Sequence, residues 1–265
     1  MPFSLANWIV EKVGKWLLHQ EPPKRAYLCD FDKICYKIQP ADVLLVEGRS
    51  RVSKIIKGVT QSPWSHAALY IGRLQDIKDQ AIHDKIAREG GFRPDQQLLI
   101  ESELGQGTII FPIQKYKEDH LRILRPEWLS HKDVDKVIYF ALSGLGRKYN
   151  LRQLFDLARF LLPWSIFPRR WRSSLFQRNA LQPTEDICSS MIADAFESVN
   201  YPILPLIKSN GHNKLEIVRR NTQLYTPSDF DYSPFFSVIK YPIFPLGERR
   251  WYANLPWADG VSSDE

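Results

Sequence analysis

Apolar residues along this chain fall into short dense runs, with helically spaced stretches between and after them. Val43-Leu44-Leu45-Val46-Glu47 is a continuous apolar run of strand length, the pattern of a strand covered on both faces. Ser65-His66-Ala67-Ala68-Leu69-Tyr70-Ile71-Gly72 predicts a second strand with His66 at its start, entered through the loop Thr60-Gln61-Ser62-Pro63-Trp64. Leu98-Leu99-Ile100-Glu101-Ser102 predicts a third. Gly105-Gln106-Gly107 turns the chain into a hairpin partner, Thr108 to Ile113, and Leu121 to Arg125 is a further strand. Successive strands joined by hairpin-type turns imply an antiparallel sheet and an α+β fold.

The helical spacings lie around this sheet. Arg51 to Val59 places Val52, Ile55 and Ile56 inward, with Gly58 as its close. Gln75 to Glu89 is mixed and charged, an excursion or inserted helix, and residues 26–38 favour no one element. Lys132 to Leu142 puts Val134, Val137, Ile138 and Ala141 on one face, and Leu151 to Leu162 predicts another helix. Ile187 to Glu197 carries Met191, Ile192, Ala195 and Phe196 at helical spacing, with Thr184 or Asp186 able to cap it and Tyr201-Pro202 ending it. At the N-terminus, Leu5 to His19 is amphipathic, with Trp8, Ile9, Val13, Trp16 and Leu17 on one side, and Glu21-Pro22-Pro23-Lys24 breaks it. After Pro202 the chain is rich in Pro, Tyr and Phe and reads as irregular packing with short edge strands. Three segments follow: 1–25, an N-terminal amphipathic helix; 26–200, the main domain; 201–265, an aromatic, proline-rich extension packed on that domain.

Composition narrows the class. The 265 residues are 44% hydrophobic and 25% charged, as in an ordinary globular chain. Three cysteines at irregular spacing exclude a disulfide framework, although Cys29 and Cys35 are candidates to pair. No apolar run approaches the roughly 20 residues that span a bilayer, and the N-terminal stretch is a poor signal peptide because Glu11, Lys12 and Lys15 interrupt it. A cytoplasmic location is the expectation. The net charge of +6 and the Trp-bearing first helix suit peripheral contact with a membrane, though a helix docked on its own domain shows the same pattern. Arg169, Arg170 and Arg172 form a basic loop, which reads as a solvated face and not as a nucleic-acid site.

The chemistry concentrates in His66, Glu101 and Cys188. A thiol at a helix start feels the macrodipole and unpaired N–H groups, which favour the thiolate. Thiol catalysis needs an imidazole to carry the proton and a polar group to orient that imidazole. Adjacent strands can set His66 beside a carboxylate. Glu101 lies inside an apolar run, where a carboxylate is costly without a partner. Glu103 has the same parity, so periodicity does not choose between the two. Ser65 and Ser189 flank the histidine and the cysteine, and both also fit simple capping.

These pieces resemble a family. Asp42 to Val46, Ser62-Pro63-Trp64-Ser65-His66-Ala67-Ala68-Leu69-Tyr70-Ile71-Gly72, Ile100-Glu101-Ser102 with Gly107 and Pro112, and Cys188-Ser189-Ser190 look like the permuted NlpC-like cysteine hydrolases, in their YiiX-like branch. The likeness covers roughly residues 40–200. It implies a circularly permuted papain-like fold, in which histidine precedes cysteine and an antiparallel sheet packs against the nucleophile-bearing helix. By that resemblance Cys188 is the nucleophile, His66 the general base and later acid, and Glu101 the residue that orients His66. Gly146-Arg147-Lys148-Tyr149 is similar to the Gly-x-x-Tyr stretch of these enzymes and makes Tyr149 a secondary candidate. The family acts on amide or ester carbonyls through an acyl-enzyme, with neither metal nor cofactor. Lipid or acyl substrates suit the permuted branch; cell-wall peptides suit the classical branch, which requires export. A binding module that keeps the fold without the chemistry is the rival reading, and an intact His-Glu-Cys order argues against it.

Overall fold

The computed structural model describes residues 19–22, 28–103, 106–146, 188–210 and 214–243, together with 253 and 255. The N-terminal helix expected from Leu5, the helix expected over 151–162, Tyr149 and the cap expected at Thr184 or Asp186 lie outside these residues.

Six strands form one antiparallel sheet. They are β1 (Val43–Glu47), β2 (His66–Arg73), β3 (Gln97–Glu103), β4 (Gly107–Pro112), β5 (His120–Pro126) and β8 (Phe236–Ile239), in the spatial order β4-β3-β2-β1-β5-β8. β1 to β4 lie side by side in chain order, β3 and β4 joined by a short turn and the other two connections each carrying a helix, Arg51–Thr60 between β1 and β2 and Gln80–Gly90 between β2 and β3. β5 joins the other side of β1, and β8 pairs beyond it, Leu124 opposite Val238. The segment after Pro202 thus supplies the edge strand the sequence predicts. It also supplies a separate two-stranded ribbon, β6 (Leu206–Asn210) with β7 (Lys214–Val218). Gly72 takes φ +100 beside the bulge in β2, a conformation open to glycine and strained for other residues.

The continuous apolar runs have a simple cause: the central strands are covered on both faces. Val43, Leu45, Ala67, Leu69, Leu98 and Ile100 face one core, against α4 (His131–Ser143) and α5 (Cys188–Glu197). Val137, Ile138 and Ala141 of α4 meet Met191, Ile192 and Phe196 of α5 there, and α3 (Gln80–Gly90) adds Ile86. Leu44, Val46, Ala68, Tyr70, Leu99 and Ile123 face the opposite core, which α1 (Phe31–Lys37) closes with Ile34. Each such fully buried Leu, Ile or Phe contributes roughly 1.5–3 kcal/mol.

Three local features differ from expectation. α1 forms where the pattern was ambiguous, because the Asp30 side chain accepts from the Lys33 amide at 3.0 Å and caps it. α2 (Arg51–Thr60) runs past Gly58, and Gln61 takes the left-handed closing conformation with φ 50; Gly58 sits inside the helix with nothing within 4 Å of where a Cβ would stand. A further helix, α6 (Pro227–Tyr232), stands where irregular packing was expected, with Pro in its first turn and Thr226 and Asp229 forming a capping box. No helix among the described residues is long and apolar enough to cross a membrane.

Candidate active site

His66 is placed by register. It is the first residue of β2 and stands opposite Val46 of β1. The preceding turn is anchored on both sides. Ser65 is buried, its amide donates to Val46 O at 3.1 Å, and its Oγ accepts from the Gly48 amide at 2.9 Å. Trp64 is buried, and its Nε1 donates to Asp231 of α6 at 3.1 Å. Arg122 Nη1 donates to both oxygens of that carboxylate, at 2.7 and 2.8 Å, while its guanidinium lies 4.6 Å over the Trp64 ring. The loop before His66 is therefore tied to the end of the chain.

Glu101 is fully buried on β3 and hydrogen-bonds to His66 Nε2 through Oε2. Tyr116 Oη donates to the same oxygen at 2.5 Å. Lys115 Nζ donates to Oε1 at 2.7 Å and to Glu103 Oε2 at 2.9 Å. Lys115 also lies 4.2 Å over the Phe111 ring. Lys115 and Tyr116 belong to a single short turn, Ile113–Tyr116, directly after β4. Burial alone would push the Glu101 carboxyl up. The His66 ring and the Lys115 ammonium outweigh burial and hold it down at about 2, so it stands as a carboxylate. Burial likewise opposes the charge on Lys115, and Glu101 with Glu103 overrides it and raises the ammonium's pKa.

The geometry settles which glutamate meets the histidine: Glu101 does, and Glu103 accepts from Lys115 and from Gln106. Sequence reasoning passed over Lys115 and Tyr116. Neither sits in a periodic element, and the only signal was a buried carboxylate in need of partners.

Cys188 opens α5, and its side chain is outside the described residues. The neighbouring Ser189 is buried and donates its hydroxyl to Tyr225 O at 2.6 Å, a tie between the first turn of α5 and the last part of the chain. Ser190 is buried as well, and its Oγ has no hydrogen-bond partner. α5 covers the face of Ala67, Leu69 and Ile100, whereas Glu101 bonds to Tyr116 in the core on the opposite face. The His66–Glu101 pair and the body of α5 therefore lie on different sides of β2 and β3. A cavity of about 160 Å³ opens at the ends of these strands. Consecutive residues of both parities line it, Ser65 with His66 and Glu101 with Ser102, together with Ser50, Ser53 and Ile56 from α2 and its N-cap.

The other two thiols are unlike a nucleophile. Cys29 and Cys35 are free and unpaired. Burial raises the pKa of Cys29, and it raises that of Cys35 to about 11. Among the described residues, no group of three or more His, Cys, Asp or Glu side chains could hold a metal ion.

The molecule is thus an α+β protein built on an antiparallel sheet, with a histidine–carboxylate pair at one end of the central strands. No family model matches the chain, and no curated protein sequence does. Among solved structures it is similar to that of the metalloprotein yiiX from Escherichia coli O157:H7, DUF1105, with 14% sequence identity and a TM-score of 0.46 over 77% of this chain and 97% of that one. The metal in that description belongs to that protein.

Proposed function

We propose that this chain is a thiol-dependent hydrolase or acyltransferase of permuted papain-like architecture. It acts on an amide or ester carbonyl through an acyl-enzyme on Cys188. The observation that carries this reading is the bond from His66 Nε2 to a fully buried, ionised Glu101 beside an open cavity. A neutral imidazole that donates Nε2–H to a carboxylate has Nδ1 as its acceptor nitrogen. That nitrogen takes the thiol proton.

The Cys188 sulfur bonds to the carbonyl carbon and the carbonyl electron pair moves to oxygen, which the backbone N–H of Cys188 stabilises at the helix start. Collapse of this intermediate expels the alcohol or amine, which takes the proton from His66. Water, or an acceptor hydroxyl or amine, next attacks the thioester and gives its proton to His66. The thiol re-forms and the acid, or the transferred acyl product, leaves. In this reading the sulfur and the ring meet at the strand ends, beside the cavity that His66 and Glu101 line.

The substrate class we propose is an acyl compound or lipid presented at a membrane surface. Its support is the Trp-bearing stretch before Pro22 and the net charge of +6. Flotation with anionic vesicles, with and without that stretch, checks this part; an unchanged distribution removes it.

Iodoacetamide labelling of the full chain across pH tests the reaction class. One fast thiol is expected, absent in Cys188→Ser and slowed about 100-fold in His66→Ala. Equal labelling of Cys29 or Cys35, or an unchanged rate in His66→Ala, leaves the binding-module reading in its place.

A further inference from the structure

Lys115 is the one described side chain that holds Glu101 and Glu103 at once. It is a costly arrangement. Its ammonium gives up most of its water, with 30% of the side chain exposed, and stands against a carboxylate with no exposure at all. A surface ion pair would need no such burial. The placement also divides the carboxylate: Lys115 takes Oε1, while His66 and Tyr116 take Oε2.

We infer that Lys115 is a positioning residue, which fixes the Glu101 carboxylate so that Oε2 faces the His66 ring and whose charge sets the pH at which the His66–Glu101 pair releases its proton. This rests on the proposed thiol chemistry and adds a device that tunes it. Among the described residues, the charged and titratable groups around the pair include Glu103 on β3 and Lys115 and Tyr116 on the turn after β4. Beyond Lys115 stands Asp119, itself paired with Arg49 at 2.9 Å. Of these, Lys115 is the cation in hydrogen-bonding contact with Glu101. A positive charge at that distance lowers the proton affinity of the pair as a unit, whichever partner carries the proton. Without it, the pair keeps its proton to higher pH, and His66 is a base over a narrower range.

The experiment follows His66 by NMR in full-length protein with nitrogen-labelled histidine, alongside the pH profile of Cys188 alkylation. Lys115→Met is expected to move the titration midpoint of the pair upward by about one unit. Lys115→Arg, which keeps the charge, holds the wild-type midpoint. Glu103→Gln removes an anion and moves the midpoint downward. A midpoint unmoved by Lys115→Met in a folded variant overturns the inference, and it marks Lys115 as a purely structural contact. If Lys115→Met does not fold, Glu103→Gln decides, and an unmoved midpoint there overturns it equally. Failure of the underlying reaction class looks different: Cys188 labelling would then be indifferent to His66→Ala in the otherwise wild-type chain.

Discussion

Glu101 and Glu103 stand two residues apart on one face of β3, yet only Glu101 touches His66. The inner position is sealed under Tyr116, and the outer one looks toward solvent with 26% of its side chain exposed. Equal chemistry at equal parity is separated by depth alone. Removing the inner carboxylate leaves Lys115, Tyr116 and His66 facing a void, whereas removing the outer one leaves Lys115 still bound to Glu101. Glu101→Ala is expected to cost 3–5 kcal/mol, on the order seen when one partner of a buried pair is deleted, and Glu103→Ala under about 1 kcal/mol. Urea denaturation of the two variants checks this. Equal losses would contradict the depth difference.

The same carboxylate shapes the acid limb of stability. The pKa of Glu101 in the folded chain, about 2, lies below the unfolded value of about 4.3. Its contribution is therefore complete above the unfolded value and is lost as pH falls toward 2. Asp42 and Asp119 act oppositely, because burial raises their carboxyls and protonation relieves them. The difference between wild type and Glu101→Gln isolates the first effect. It should shrink steadily as the pH falls below about 5. A difference that stays constant down to pH 2 contradicts an ionised Glu101.

Cys35 should resist alkylation until the pH nears 11, where burial has pushed its thiol. Cys29 should be slower still to label in the native fold. It is buried, accepts from the Leu121 amide at 3.3 Å and lies 3.7 Å from Asp119 O. Peptide mapping after brief iodoacetamide treatment at pH 8 reads both. Full modification of Cys35 there rules out its raised pKa.

Gly48 lines the cavity at the point where β1 turns into α2. A Cβ at this position would stand 2.8 Å from the Ser65 hydroxyl and closer still to that of Ser53, both buried. Gly48→Ala is expected to destabilise by about 1–3 kcal/mol through overpacking. Ser65→Ala in the same chain should relieve part of that loss, giving a total below the sum of the single changes. Strict additivity in denaturation would show that the two positions do not share space.

Much of the sheet was legible because both of its faces are covered. Runs such as Val43 to Val46 and Leu98 to Ile100 have few other uses, and the start of β2 at His66 follows from the Ser-Pro-Trp-Ser turn. The helix from Cys188 was legible from the spacing of Met191, Ile192, Ala195 and Phe196. Depth was not legible: period two makes Glu101 and Glu103 equivalent, and only the packing of Tyr116 separates them. Lys115 escaped notice because a four-residue turn carries no period. The misplaced end of α2 has a similar origin, since Gly58 is common at helix ends, yet Gln61 adopts the left-handed conformation here. α6 was missed because a six-residue helix is too short for its apolar spacing to show.

The reach of Trp64 to Asp231 and of Ser189 to Tyr225 changes the meaning of the last quarter of the chain. Residues 225–231 clasp the approach to His66 with one hand and the first turn of the cysteine helix with the other. A shortened protein ending at Asn200 would keep His66, Glu101 and Cys188 and the packing of α5 on the sheet, but would lose both arms of that clasp.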